Sequence, residues 1–153
     1  MINSNGLMRG NWLYYRGRFN AFPFRVEQIT KRKVGYHAEP GENRMYYLRL
    51  NEEVQPIPLT AELLERNGFE KVEQPGCANP YHWRLAVYED DIKDPSMLLY
   101  SIVAYETPFR GMYVNIFNPA DCEPIKFTKQ IEYLHELQNA LRLCGIEKEI
   151  IAY

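Results

Sequence analysis

Short runs of alternating apolar and polar residues dominate the first sixty positions. Phe22, Phe24 and Val26 alternate with Pro23, Arg25 and Glu27, and Val34, Tyr36 and Ala38 repeat the pattern. Tyr46, Leu48 and Leu50 follow it again. A period of two puts alternate side chains on one face, so each run predicts a short half-buried strand. The apolar stretch Asn11–Tyr15 predicts one more. Lys31-Arg32 reads as a tight connection, and Pro40-Gly41-Glu42-Asn43 as a turn, because Pro presets φ and Gly accepts φ > 0. Val54–Leu59 carries two prolines, which confines it to an edge strand or an extended tail. Several short strands within some fifty residues predict a small closed barrel, since closure removes exposed edges.

Beyond Leu59 the pattern changes. Thr60 through Phe69 predicts a short helix, with Thr60 capping the first turn and Asn67-Gly68 supplying a left-handed stop. Strands are expected at 69–74, 81–88, 98–105 and 112–117. The third is apolar on both faces and is therefore expected at the centre of the sheet. Ile131, Leu134, Leu137, Gln138, Leu141 and Cys144 recur at steps of three and four, predicting a helix from a Thr128 cap to a Gly145 stop. The fold class is α+β. Residues 1–58 are expected to form an SH3-like β-barrel, and residues 59–153 an α+β domain whose antiparallel sheet is covered by the C-terminal helix.

Composition narrows the classes. The chain has 153 residues, enough for one ordinary core or two small ones. Two Trp, twelve Tyr and seven Phe supply too much apolar surface for a disordered chain. The longest apolar stretch, Met97 to Tyr105, is nine residues long and too short to span a bilayer as a helix. The first fifteen residues lack the charged-then-apolar layout of a signal peptide, and the three widely spaced cysteines suit reduced thiols. The expectation is a cytoplasmic protein.

Charge adds an asymmetry. Residues 1–50 hold nine Lys/Arg against three acids, a balance of +6, whereas residues 51–153 hold nine against seventeen, a balance of −8. Two readings follow: a basic half that meets a polyanion, or two halves of opposite sign that dock on each other. The basic residues interleave with Trp12, Tyr14, Tyr15, Phe19, Phe22, Phe24 and Tyr36. Guanidinium forks bind phosphate oxygens and exposed rings stack on unpaired bases. The candidate nucleic-acid-binding set is Arg16, Arg18, Lys31, Arg32 and Lys33, with Trp12 or Tyr14 as stacking rings.

Catalytic and metal chemistry finds less support. His135-Glu136-Leu137-Gln138-Asn139 begins like a zinc-protease helix, but Asn139 stands where the second histidine belongs. Cys77 and His82 lie at neighbouring hairpin positions without a CxxC partner, and Cys122 and Cys144 fall in other elements. The acids Glu89, Asp90, Asp91 and Asp94 lack the calcium-loop pattern and read as a solvated loop. Phosphate-loop, dinucleotide and nucleophile-elbow motifs are missing from the sequence. The expectation is a non-enzymatic binding protein without cofactor or metal.

The opening Gly10-Asn11-Trp12-Leu13-Tyr14-Tyr15-Arg16-Gly17, followed by Phe24-Arg25-Val26-Glu27-Gln28-Ile29, resembles the start of SH3-like barrels of the KOW or Tudor type. Three further stretches, 54–60, 63–69 and 133–141, resemble a family of small proteins of gut Bacteroidetes. Those proteins often lie in prophage or mobile-element neighbourhoods, and no activity or functional residue is attached to them. That resemblance implies a cytoplasmic accessory protein of a mobile element. Its partner would be nucleic acid or another protein of the same element, in the latter case as an assembly module using exposed tyrosines and the Met97-Leu98-Leu99 region.

Overall fold

A computed structural model describes residues 2, 4–76, 80–88, 98–108, 111–118, 124–125 and 127–153. The chain divides into two units, Met1–Pro58 with Tyr133–Tyr153, and Leu59–Glu132.

In the first unit the strands are β1 (Trp12–Arg16), β2 (Ala21–Arg25), β3 (Gln28–Ile29), β4 (Lys33–Tyr36), β5 (Tyr46–Arg49) and β6 (Val54–Pro56). They form two antiparallel three-stranded sheets, ordered β2-β1-β6 and β3-β4-β5. The expected closed barrel does not form among the described residues. The reason lies at Val26–Glu27. The Val26 N–H donates to the Asn11 carbonyl at 2.8 Å in the first sheet, and the next N–H, of Glu27, donates to the Gly35 carbonyl at 2.8 Å in the second. One bent strand thus feeds both sheets and makes a corner rather than a continuous ladder. Alternation puts Leu13, Phe24, Val26, Val34, Leu48 and Val54 into one shared core. Pro56, opposite Leu13, sits on an edge strand, where its missing N–H leaves no ladder bond unmade.

The second unit starts with helix α1 (Ala61–Arg66) and continues with β7 (Glu70–Glu73), β8 (Tyr81–Tyr88), β9 (Leu98–Glu106), β10 (Met112–Phe117), β11 (Pro124–Ile125) and β12 (Phe127–Ile131). All pairings are antiparallel in the order β11-β10-β9-β8-β7, with β12 also on β10. β9 is central, and its Ser101–Ala104 stretch is buried on both faces, as its unbroken apolar run requires. Thr60 caps α1, its Oγ1 accepting from the Leu63 N–H at 3.2 Å. The helix ends where Gly68 takes φ 86°. There the Gly68 N–H reaches the Glu65 carbonyl at 3.0 Å, and the Phe69 N–H the Leu64 carbonyl at 3.1 Å. No helix among the described residues is long and apolar enough to cross a membrane.

Helix α2 (Leu134–Leu143) corrects two expectations. Thr128 does not cap it, because residues 127–131 pair with β10 and Ile131 ends that strand opposite Met112. The helix begins at Tyr133, whose N–H donates to the Glu136 carboxylate at 3.1 Å. Gly145, φ 72°, stops it as expected. The second correction concerns the domain boundary. Residues 133–153 belong to the first unit and not to a continuous 59–153 domain. The buried Gln138 side chain shows why. Its Oε1 accepts from the Trp12 N–H at 3.0 Å, and its Nε2 donates to the Ile150 carbonyl at 2.8 Å. Asn139 adds a bond to Asn11 Nδ2 at 2.9 Å and donates to the Gly6 carbonyl at 2.7 Å. The apolar stripe of Leu134, Leu137 and Leu141 demands a covered face but carries no information about which unit supplies it.

Gln138→Ala should therefore lower stability in urea by about 2–6 kcal/mol, because the Trp12 N–H and the Ile150 carbonyl each lose their partner at roughly 1–3 kcal/mol. A change below about half a kcal/mol would be too small for buried groups left unpaired and would contradict this role for Gln138.

A second expectation concerns pH. His135 is buried, its ring stacks on Tyr133 at 5.9 Å, and its Nδ1 has no partner among the described residues. Desolvation pushes its pKa below the usual imidazole value, with Glu136 opposing weakly. The unfolded chain then binds a proton more readily than the folded one, so this contribution is present above the unfolded pKa of about 6.5 and fades as pH falls through it. The melting temperature should drop between neutral and mildly acidic pH. His135→Gln should flatten that drop, and an unchanged pH profile in the variant would refute it.

Candidate nucleic-acid interface

The candidate cations gather around one turn. Thr30 staples the β3–β4 connection: the Lys33 N–H donates to its Oγ1 at 3.0 Å, and its own N–H donates to the Lys33 carbonyl at 2.9 Å. That holds Lys31, Arg32 and Lys33 at an exposed tip. The facing wall is the turn after β5, where Asn51 takes φ 71° and its Oδ1 accepts from the Ile2 N–H at 2.9 Å. The Leu50 N–H donates to the Arg32 carbonyl at 2.9 Å, which ties the two walls together.

Between the walls lies a cleft of about 510 Å³ lined by Lys31, Arg32, Lys33, Arg49, Asn51 and Glu52 among others. Glu52 is the one acid in that lining, and it is already engaged by Arg49 at 3.1 Å. Both partners are mostly exposed, so solvent screens that pair and it contributes little to stability. Four cations against one carboxylate leave the cleft positive.

Arg16 approaches the same turn. Its N–H donates to the Glu53 carbonyl at 2.9 Å, which sets the end of β1 beside the Arg49–Glu53 segment. Arg18 stands in the next turn, closed by the Gly17 N–H on the Asn20 carbonyl at 2.9 Å. All five candidate cations are exposed, and none makes an ion pair with a described residue of its own unit. Arg9 and Arg25, by contrast, are paired with Glu27 at 2.9 Å and Glu149 at 3.5 Å.

The two candidate stacking rings stand elsewhere. Trp12 is half-buried, meets Tyr153 edge-on at 5.2 Å, and its Nε1 is buried without a partner among the described residues. It lines a separate cleft of about 520 Å³ with Phe22, Phe24, Tyr36 and Tyr153. Tyr14 is half-buried in the middle of β1, between Pro23 and Gln55. The ring that stands free is Phe19, 92% exposed, with the Arg18 guanidinium 5.5 Å from its centroid.

Sequence reasoning left Arg49, Asn51 and Phe19 out of the site. Arg49 follows an alternating strand and Asn51 opens a polar turn, but only the backbone bond between Leu50 and Arg32 brings that turn to the lysines. Phe19 sits beside Gly17 and Asn20, a turn signal that marks a ring unable to enter a sheet face.

Several sequence features fall outside the described residues: Cys77, Cys122, Met97 and the acids Glu89, Asp90, Asp91 and Asp94. His82 packs on the Tyr105 ring at 5.4 Å. Among the described residues no three His, Cys, Asp or Glu side chains gather as a metal site. Searches of protein-family models, curated proteins and solved structures find no match to this chain.

Proposed function

We propose that the protein is a non-enzymatic binding protein that holds nucleic acid by its phosphate backbone in the Lys31–Arg49 cleft. The observation that carries this reading is the concentration of exposed cations on the two tied turns, where Lys31, Arg32 and Lys33 make no ion pair with a described residue of their unit, with Arg16 and Arg18 beside them. Such a cleft offers several charge-assisted donors to phosphate oxygens. An SH3-like arrangement of the first unit fits the same reading. β1 runs between β2 and β6, and a bent strand passes from one sheet to the other, leaving the turns at the sheet ends to carry the ligand. A cytoplasmic accessory role beside nucleic acid accords with this.

A second reading, a protein–protein interaction or assembly module, draws on the second unit. Leu99 and Tyr113 stand 40% and 41% exposed on β9 and β10. Tyr113 stands opposite Tyr105, on the face that Ser101 and Val103 share, and Leu99 sits where the β8–β9 register shifts.

The salt dependence of binding separates the two. Five phosphate contacts on a single strand give a log–log slope of about −3.5, at roughly −0.7 per contact. Lys31→Ala, Arg32→Ala and Lys33→Ala together should flatten it by about two units, from the same per-contact value, without lowering the melting temperature. A protein that retains no oligonucleotide at low salt, or a triple variant whose slope is unchanged, would contradict the proposal and leave the interaction module in front.

A further inference from the structure

We infer that Phe19 is a stacking platform for an unpaired base, so that the strand held in the basic cleft is single-stranded. This rests on the phosphate-binding reading of the cleft and adds to it the class of strand. Three observations support it. First, Phe19 is 92% exposed, the most exposed of the large apolar side chains in the described residues, while Phe22, Phe24 and Tyr36 are drawn into the core. Second, a cation stands beside the ring. Its turn is closed by the Gly17 N–H on the Asn20 carbonyl at 2.9 Å, and the Arg18 guanidinium lies 5.5 Å from the ring centroid. A cation on one side of a ring enriches the site in positive charge and leaves the other face for a second flat partner. Third, the turn is anchored beside the cleft. Arg16, three residues before Phe19, is bonded to the Glu53 carbonyl, and the intervening backbone reaches at most about 10 Å. A strand whose phosphates occupy the cleft therefore brings a nearby base within reach of the ring.

The geometry also discriminates among ligands. A base inside a duplex already stacks on both faces and offers none to a side chain, whereas an unpaired base offers its whole face. An exposed Phe near cations is also a membrane-surface pattern. Here the cations of two tied turns converge on one cleft, which follows a narrow strand more closely than a flat lipid surface.

The test is fluorescence anisotropy of the 153-residue chain with a short oligothymidylate and with a duplex of equal length, alongside co-sedimentation with phosphatidylserine vesicles. Phe19→Ala should weaken single-strand binding by about 5- to 150-fold, as expected for one stacked base, with the salt slope unchanged. Duplex binding should barely move, and Phe19→Trp should restore affinity for the single strand. Because Phe19 is exposed, circular dichroism should show the same melting curve for each variant. If Phe19→Ala leaves single-strand binding unchanged while the triple cleft variant still flattens the slope, stacking is overturned and the phosphate site survives. If neither oligonucleotide binds, the cleft reading fails and this inference with it. If Phe19→Ala lowers only vesicle binding, the ring serves a membrane and the inference is overturned.

Discussion

The buried amide of Gln138 is the interaction on which the first unit depends. It sits 126 residues from the Trp12 backbone it receives and 12 from the Ile150 carbonyl it supplies. A side chain with both an acceptor and a donor is needed there, because the start of β1 and the irregular C-terminal tail each present a main-chain group that no ladder satisfies. The neighbouring Asn139 and Asn11 extend the same clamp to the Gly6 carbonyl and the Met8 N–H. Removing Gln138 or Asn11 would leave buried or half-buried polar groups without their partner. That asymmetry makes such networks more costly to break than their net bond energy suggests. The clamp also explains the chain's itinerary: residues 59–132 form a complete sheet of their own between two pieces of the first unit.

Local structure was legible in the sequence wherever a residue's own geometry decides the outcome. Thr60 and Gly68 bracket α1 through their side chain and φ, and Tyr81–Tyr88 and Met112–Phe117 are strands because alternation or unbroken apolarity allows little else. The central position of β9 followed from a run that is apolar on both faces. Long-range partnership was not legible. The i, i+3 spacing of Ile131 and Leu134 continued seamlessly from a strand into a helix, so pattern alone ran the helix back across β12. Likewise an apolar stripe specifies burial but not its partner. The deciding information lay in Gln138 and Asn139, polar residues on the edge of that stripe, whose role appears only when their amides meet a distant backbone. The closed barrel failed for a related reason. Alternation marks strands, but the corner at Val26–Glu27 divides one strand between two sheets.

The candidate site shows the same division. Lys31, Arg32 and Lys33 could be found from charge because they are contiguous. Arg49 could not, since it joins them only through the Leu50–Arg32 backbone bond. Aromatic content was the least informative signal. Rings in the first unit serve mainly as core, where Tyr36 packs at 5.0 Å on Phe24 and 5.7 Å on Tyr46. Their interleaving with arginines is the ordinary consequence of a strand with one face buried and the other wet. The surface that results is a pair of tied, cation-bearing turns on a core whose ends are fixed by the Gln138 clamp. Rigid support beneath an exposed charged loop favours binding, because little further ordering is needed when a ligand arrives.

On the proposed function, the tied turns, and not the aromatic cleft around Trp12, receive a nucleic-acid strand. The most direct measurement is backbone amide chemical-shift mapping as a short single strand is titrated into the isotopically labelled protein. Shifts should concentrate at Lys31–Lys33, Arg49–Glu52 and Arg16–Phe19, with the amides of Trp12 and Tyr153 unmoved. Shifts centred on Trp12, Tyr36 and Tyr153, or no shifts at low salt, would contradict it.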